Sequence, residues 1–495
     1  MNIKTRETVL VAGAGIAGLG VALALGDGTR DITLIDRDPP PPEGSTEEAF
    51  EHWQRRGATQ LRHSHVFLGR LTSLIRDRYP LLLAELLSEG ARISGFEEGL
   101  APRLRAKYKA QADDEDLAIL FSRRTTLELV LRRYVASLPH VRFITDAGVR
   151  GFLSHRENDV LIADGLTVER DGVCEDMRAN IVVDASGRNT NFPDWLHDAG
   201  VETAMEESPA GILYFTRHYR LRDGMNEPER DNAAAAGDLG YIKFAVFIAD
   251  NRHFSITLAT PEIETDLRKA IVRPEIFDAI CAAIPGCASW VEPTRAEPVT
   301  DVYSMGNLKS VWRQYLKDGE TQVLNFFAVG DAAVRTNPLY GRGCSAGVVH
   351  AHILREALDS TDDLRERARI VDRETFAAIR PYYDVMVKQD LQSIRRAVHE
   401  RDPLYKPRFK ARLAKSFAED AIGPAARGDI KIARTLSRAF HMIDHPTDWL
   451  KNPVIMARIL TYWAMPKRMK QARGLYPPPL GPEREAMFAK LGLAN

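Results

Sequence analysis

The stretch that most constrains this chain is Gly13-Ala14-Gly15-Ile16-Ala17-Gly18. Residues 8 to 12 before it (Thr-Val-Leu-Val-Ala) form a short apolar run, as expected of a strand buried on both faces of a parallel sheet. The small residues after it suit a helix packed closely on that strand. Each glycine then has its own duty: a tight turn, close approach of the backbone by a diphosphate, and close helix–strand packing. Ile16 and Ala17 open the helix, whose unpaired N–H groups and positive dipole end face that diphosphate. Residues 31 to 36 (Asp-Ile-Thr-Leu-Ile-Asp) supply a second strand, and Asp36 ends it where a carboxylate can accept hydrogen bonds from an adenosine ribose. Asp36 would repel a 2′-phosphate, and the neighbouring Arg37 softens that repulsion.

The uncharged run from residue 8 to 26 follows Lys4 and Arg6, a layout shared with signal peptides. Its five glycines fit the turn geometry better than a signal or a membrane span. No other stretch is long and apolar enough to cross a bilayer. A chain of 495 residues exceeds what one core supports, so at least two units share an interface. Lys and Arg number 67 against 68 for Asp and Glu, a balance that leaves no nucleic-acid footprint. Cys174, Cys281, Cys287 and Cys344 are widely spaced without a CxxC pair, which suits a reducing cytoplasm and gives no zinc site. The expectation is a cytoplasmic protein with no metal and no transmembrane segment.

Residues 70 to 90 read as two helical pieces broken at Pro80, and another helix is expected at 125 to 137. Period-two runs at 141 to 145, 159 to 169 and 178 to 184 read as strands, as do 212 to 221, 241 to 249 and 253 to 260. The last three carry aromatic and β-branched residues and predict an antiparallel sheet. Tyr214, Phe215, Tyr241, Phe244 and Phe254 there could line a cavity or form ordinary core. Residues 323 to 329 predict one buried strand running into Gly330, with a helix from 343 to 358 and a mostly helical remainder.

Phe327-Ala328-Val329-Gly330-Asp331-Ala332-Ala333, followed by Asn337-Pro338-Leu339-Tyr340-Gly341-Arg342-Gly343 and Gly347, resembles the second FAD motif of flavin-dependent monooxygenases related to aromatic hydroxylases and squalene epoxidase. The resemblance implies that Asp331 holds the ribityl chain. It places Pro338, Gly341, Gly343 and Cys344 beside the flavin ring, where a helix start near Gly343 would stabilise negative charge. Asn180-Ile181-Val182-Val183-Asp184-Ala185-Ser186-Gly187-Arg188 resembles the family's middle motif, with Asp184 close to the cofactor. Its Asp-Ala-Ser-Gly form is closer to halogenases and isoprenoid reductases than the Asp-Gly of aromatic hydroxylases. Arg124-Thr125-Thr126-Leu127-Glu128 resembles the flavin-contacting arginine helix, and Val149 stands where a strand backbone meets adenine. Gln60-Leu61-Arg62-His63-Ser64-His65 resembles an Arg-His-x-His segment near the isoalloxazine, which makes Arg62, His63, His65 and Tyr340 candidates near the reacting ring. On residue chemistry alone, Arg124 serves equally as a solvated helix start and the histidines as core hydrogen-bonding groups.

The fold implied is α/β. A Rossmann-type FAD-binding domain (residues 1–190 with 320–360) joins an antiparallel-sheet substrate domain (191–319) and a helical C-terminal region (361–495). The function implied is an FAD-dependent monooxygenase that epoxidises or hydroxylates an apolar small molecule with molecular oxygen through a flavin C4a-hydroperoxide. NAD(P)H is the implied electron donor, directly or through a flavin reductase. An isoprenoid-type reductase shares the middle motif. A halogenase is set back by the missing WxWxIP segment and the absence of lysine between Lys4 and Lys107. A non-catalytic prenyl-binding escort protein is set back by the intact FAD motifs.

Overall fold

In the computed structural model, residues 6–229, 233–317, 319–402 and 404–493 are described, and Lys4 lies outside them. β1 (Glu7–Ala12), α1 (Ile16–Leu25) and β2 (Arg30–Ile35) form the expected strand–helix–strand unit, with β1 and β2 parallel from Glu7–Arg30 to Ala12–Ile35. The complete sheet has five parallel strands in the order Phe326–Ala328, Ile181–Asp184, β1, β2, Val141–Ile144. Every residue of α1 except Ala17 is buried, because the sheet covers one side and the helix Gly343–Ser360 the other. Small residues make that approach feasible. A Cβ on Gly18 would lie 1.9 Å from the Gly13 carbonyl oxygen, and one on Gly347 would lie 3.4 Å from the Ala17 Cβ.

Helices Gly69–Arg78 and Pro80–Ser88 meet at Pro80, and Arg124–Ala136 follows, as the spacing predicts. The strand expected at 178 to 184 begins only at Ile181, since Val173–Arg178 belongs to a different sheet. That sheet has three antiparallel strands, Ala147–Glu157, Val160–Arg170 and Val173–Arg178, and a fourth, Val323–Leu324, parallel to the second. The single strand expected at 323 to 329 is two. Val323–Leu324 pairs with Leu161 and Ile162, Phe326–Ala328 pairs with Val182 to Asp184, and Asn325 turns between them at φ 59°.

Ile212–Leu221, Lys243–Ile248 and His253–Pro261 form the expected antiparallel sheet, in register at Phe215–Leu258 and Phe244–Leu258. Phe215, Tyr241 and Phe254 pack into the core behind it. The long helix Leu364–Glu400 runs past the parallel sheet, with Ile379, Tyr383 and Met386 in the same core as Val182 and Phe326. A small helical unit follows, built on Ala421, Ala425, Ile432, Ile455 and Ile459. It is pinned to the rest by Arg434 on Asp114 and by His441 Nδ1, which accepts from the Gly69 amide at 3.1 Å. Among the described residues no helix is long and apolar enough to cross a membrane.

Candidate active site

A cavity of about 910 Å³ runs from the Gly13–Gly18 turn to the antiparallel sheet. At one end its wall is Gly13, Gly15, Ile16 and Ala17, with Asp36, Arg37 and Val149 beside them. Arg124, Gly330, Asp331, Pro338, Gly341, Gly343 and Cys344 line its middle stretch, together with His63 and His65. Tyr214, Phe244, Phe247, Met305 and Leu308 face it from the side of the antiparallel sheet. Segments more than three hundred residues apart in sequence therefore share one space. Arg62, Asp184 and Tyr340 do not reach its wall, and Gly18 packs behind it.

The glycines divide by duty as elementary sterics require. Gly13 has φ +106°, and a Cβ there would come within 2.6 Å of the Ala185 carbonyl oxygen. Gly15 has no heavy atom within 4 Å of its Cβ direction, so the space before it is open to a ligand. Gly341, at φ +65°, turns the chain into the helix Gly343–Ser360, whose first residues line the cavity as those of α1 do. Two helix N-termini thus offer unpaired N–H groups and positive dipole ends to one space.

Asp331 is partly buried on the cavity wall, and its carboxylate accepts no hydrogen bond from any described residue. Burial pushes its carboxyl above the ordinary carboxylate range, against the charges of Arg188, Arg335, Arg124 and Arg313. Of these, Arg188 and Arg335 also line the cavity and form no ion pair among the described residues. Buried charge of this kind calls for a partner. A carboxylate free to accept from hydroxyls, a surplus of cations, and two helix N-termini fit the ribityl chain and diphosphate of FAD.

Asp36 lines the cavity but is also held from behind. Arg132 Nη1 reaches its Oδ2 at 2.7 Å and Arg55 Nη1 at 3.2 Å. Arg55 also meets Asp38 and Glu128, each at 3.2 Å, and Arg124 Nε donates to Glu128 at 2.9 Å. Three arginines and three carboxylates close a balanced buried network. The charges of Arg55, Arg124 and Arg132 hold the Glu128 carboxyl below its usual range although burial opposes them. The Asp38 amide donates to Asp36 Oδ1 at 3.3 Å, and that oxygen keeps one lone-pair direction for a ribose. Sequence reading missed Arg55, Asp38 and Arg132 and gave Glu128 no role of its own. The spacing of Arg124, Glu128 and Arg132 at four-residue steps on one helix face was the available signal.

His63 is buried, its Nδ1 3.0 Å from Thr216 Oγ1, and burial with the nearby Arg188 charge lowers its pKa to about 4. His65 Nδ1 lies 2.8 Å from the His63 carbonyl oxygen and must donate to it. Its Nε2 then accepts from Arg124 Nη1 at 3.4 Å, and burial with the Arg124 charge lowers its pKa to about 3. Both imidazoles are therefore neutral near pH 7. Arg124 Nη1 also donates to Cys344 Sγ at 3.3 Å, and burial raises that thiol.

Three expected residues act one step back. Arg62 spends its guanidinium on the carbonyls of Phe50, Glu51 and Trp53, because the segment before it turns those oxygens inward. Asp184 accepts from the Ser186 amide at 3.0 Å and from the Ser186 and Thr190 hydroxyls at 2.5 and 2.6 Å, so it shapes the Ala185–Arg188 wall and does not form it. Tyr340 donates to Asp390 Oδ1 at 3.0 Å, away from the cavity. Among the described residues, no group of three or more His, Cys, Asp and Glu is placed to hold a metal ion.

No protein-family model matches the chain. Protein Rv3254 of Mycobacterium tuberculosis (strain ATCC 25618 / H37Rv) is 25% identical over 464 residues, covering 89% of this chain and 90% of that protein. The flavin-dependent brominase Bmp2 superposes at a TM-score of 0.59 with 14% identity, covering 92% of this chain and 99% of its own. PqsL, a probable FAD-dependent monooxygenase from Pseudomonas aeruginosa, superposes at 0.53 with 16% identity, covering 80% of this chain and 100% of its own. The chain shares the fold of these two structures.

Proposed function

We propose that this chain is an FAD-dependent monooxygenase that epoxidises or hydroxylates an apolar small molecule. The observation that carries the reading is the single cavity, glycine-lined and amide-rich at one end and walled by Tyr214, Phe244, Phe247, Met305 and Leu308 at the other. In it, Gly13, Gly15, Ile16 and Ala17 hold the diphosphate, Asp36 the adenosine ribose, and Arg37 and Val149 the adenine side. Arg124 and Asp331 hold the ribityl chain, and Pro338, Gly341, Gly343 and Cys344 the ring edge. When bound and reduced, FAD supplies the activation of molecular oxygen that no side chain here can provide.

The protein's own part is to position and to exclude water. The helix start at Gly343 offers N–H donors where negative charge gathers on the ring, and the apolar wall keeps water from the reacting atoms. Neutral His63 and His65 add hydrogen-bonding atoms without adding charge. NAD(P)H is the proposed source of electrons, directly or through a flavin reductase.

The two lysines on the wall, Lys243 and Lys309, are engaged by Asp238 and Glu207, which supports oxygenation over halogenation. The intact glycines and Asp331 support catalysis over escort of a prenylated protein. The deciding experiment is turnover under oxygen-18 gas with candidate apolar substrates. One labelled atom in the product is expected. An unlabelled product, a halide-dependent product, or anaerobic saturation of a double bond would replace this reading.

A further inference from the structure

Residues 404–476 contribute nothing to the cavity wall, yet they hold fifteen Lys and Arg against five Asp and Glu in a chain whose totals nearly cancel. The excess concentrates at Leu404-Tyr405-Lys406-Pro407-Arg408-Phe409-Lys410-Ala411-Arg412-Leu413-Ala414-Lys415, and no carboxylate stands between Asp402 and Glu419. Lys406, Arg408, Lys410 and Arg412 form no ion pair with any described residue. Among them Leu404 is 85% exposed, Phe409 68% and Leu413 44%.

The helix Phe409–Ser416 has no buried residue at all. A helix of that length draws its stability from an amphipathic face packed on something, and nothing among the described residues covers this one. Phe409 and Leu413 stand one turn apart on one face, flanked by Lys410 and Arg412. Its far end is anchored: Trp463 Nε1 donates to Ser416 Oγ at 3.2 Å, and the Phe417 and Trp463 rings meet edge to face at 5.3 Å. The base is fixed on the core of the helical unit and the basic, apolar stretch stands clear of it.

We infer that residues 404–416 dock this protein on an anionic lipid surface. Charge selects a negative partner. The large apolar side chains on the same face select one with a hydrocarbon interior, where Phe409 and Leu413 insert while the Lys and Arg stems lie along the interface. An acidic protein would be met by the cations alone. His441 ties the same unit to Gly69, four residues beyond His65 on the cavity wall, so docking would bring the site to where apolar substrates dissolve. Only this purpose rests on the monooxygenase reading; the docking itself does not.

The test is co-sedimentation of the FAD-loaded protein with vesicles of phosphatidylcholine alone or mixed with phosphatidylglycerol, without turnover. Binding is expected only to the mixed vesicles and should weaken as salt rises. K410E/R412E and F409S/L413S, with flavin content and melting unchanged, should each lower binding at least about tenfold. No sedimentation with mixed vesicles at low salt overturns the inference. So does either variant binding as the parent does. Loss with the charge pair but not the apolar pair would assign the patch to an acidic protein. A failed oxygen-labelling experiment leaves all these outcomes readable.

Discussion

Gly15 and Gly18 stand three residues apart and should fail in opposite ways. A side chain at Gly15 meets open space in the protein and would occupy the room proposed for the diphosphate. Gly15→Val should therefore fold, losing no more than about 1 kcal/mol as a poorer helix cap, and retain no FAD. Gly18→Val drives a Cβ onto the Gly13 carbonyl and should cost roughly 1–3 kcal/mol of stability whether FAD is present or not. Visible flavin absorbance and thermal melts separate the two. The buried histidines make a second expectation at this scale. Burial lowers His63, His350 and His441 to about 4 and His65 and His218 to about 3, against an ordinary value of 6.5. The unfolded chain then takes up protons first as pH falls, so stability is complete above about pH 6.5 and is lost progressively toward pH 4. Melting temperature should be level from pH 8 to 7 and fall steeply by pH 5. A level profile down to pH 5 would show these imidazoles to be solvated.

Among the secondary-structure elements, the Asn337–Gly341 turn shows why part of the site could be read from sequence and part could not. The turn itself was legible, because proline and glycine at fixed offsets before a helix have one geometric meaning. What holds it was not. Asn337 Oδ1 accepts from Tyr214 OH at 2.5 Å, and its Nδ2 donates to Asp390 at 2.9 Å, joining the antiparallel sheet of Ile212–Leu221 to the helix Leu364–Glu400. Those partners lie 123 and 53 residues away in the chain, beyond any local pattern. Arg55 was hidden from its three carboxylates in the same way, at 17 to 73 residues along the chain. The strand at 323 to 329 was read as one because apolar composition does not register the left-handed Asn325 that hands the chain from one sheet to another. Asp390 offers the test. Burial raises its pKa to about 6, so between pH 3.8 and 6 the folded state holds a proton that the unfolded state releases, and stability falls across that window as pH rises. Asp390→Asn keeps an acceptor for Tyr340 and Asn337 without the charge. It should be as stable as the parent at pH 5 and more stable at pH 8. Asp390→Ala should lose on the order of 1–3 kcal/mol at both, since it strands two buried donors. Denaturant titrations at the two pH values distinguish these outcomes.

At the scale of the whole molecule, a nicotinamide nucleotide is expected to find little purchase. Among the described residues one parallel sheet carries one strand–glycine turn–helix, and α1 already commits its N-terminus to the shared cavity. The middle segment offers no second site, because Asp184 is spent on Ser186 and Thr190 and the Ala185 carbonyl lies directly behind Gly13. That segment braces the first turn. NADH or NADPH would therefore have to dock transiently at the cavity, where Arg188 and Arg335 are among the wall cations that pair with no carboxylate of the described residues. Stopped-flow bleaching of bound FAD should then be slow, below about 1 s⁻¹, a rate at the bottom of the usual range for turnover, and linear in nucleotide concentration. A flavin reductase should relieve the delay. Arg188→Ala should lower the second-order constant for NADPH while leaving reduction by dithionite unchanged, since the charge meets the nucleotide's phosphates and not the electrons. Rapid, saturating reduction by either nucleotide alone would mean that the Ala185–Arg188 wall opens to form a true nucleotide site. Asp184 would then have to release Thr190 to let it do so.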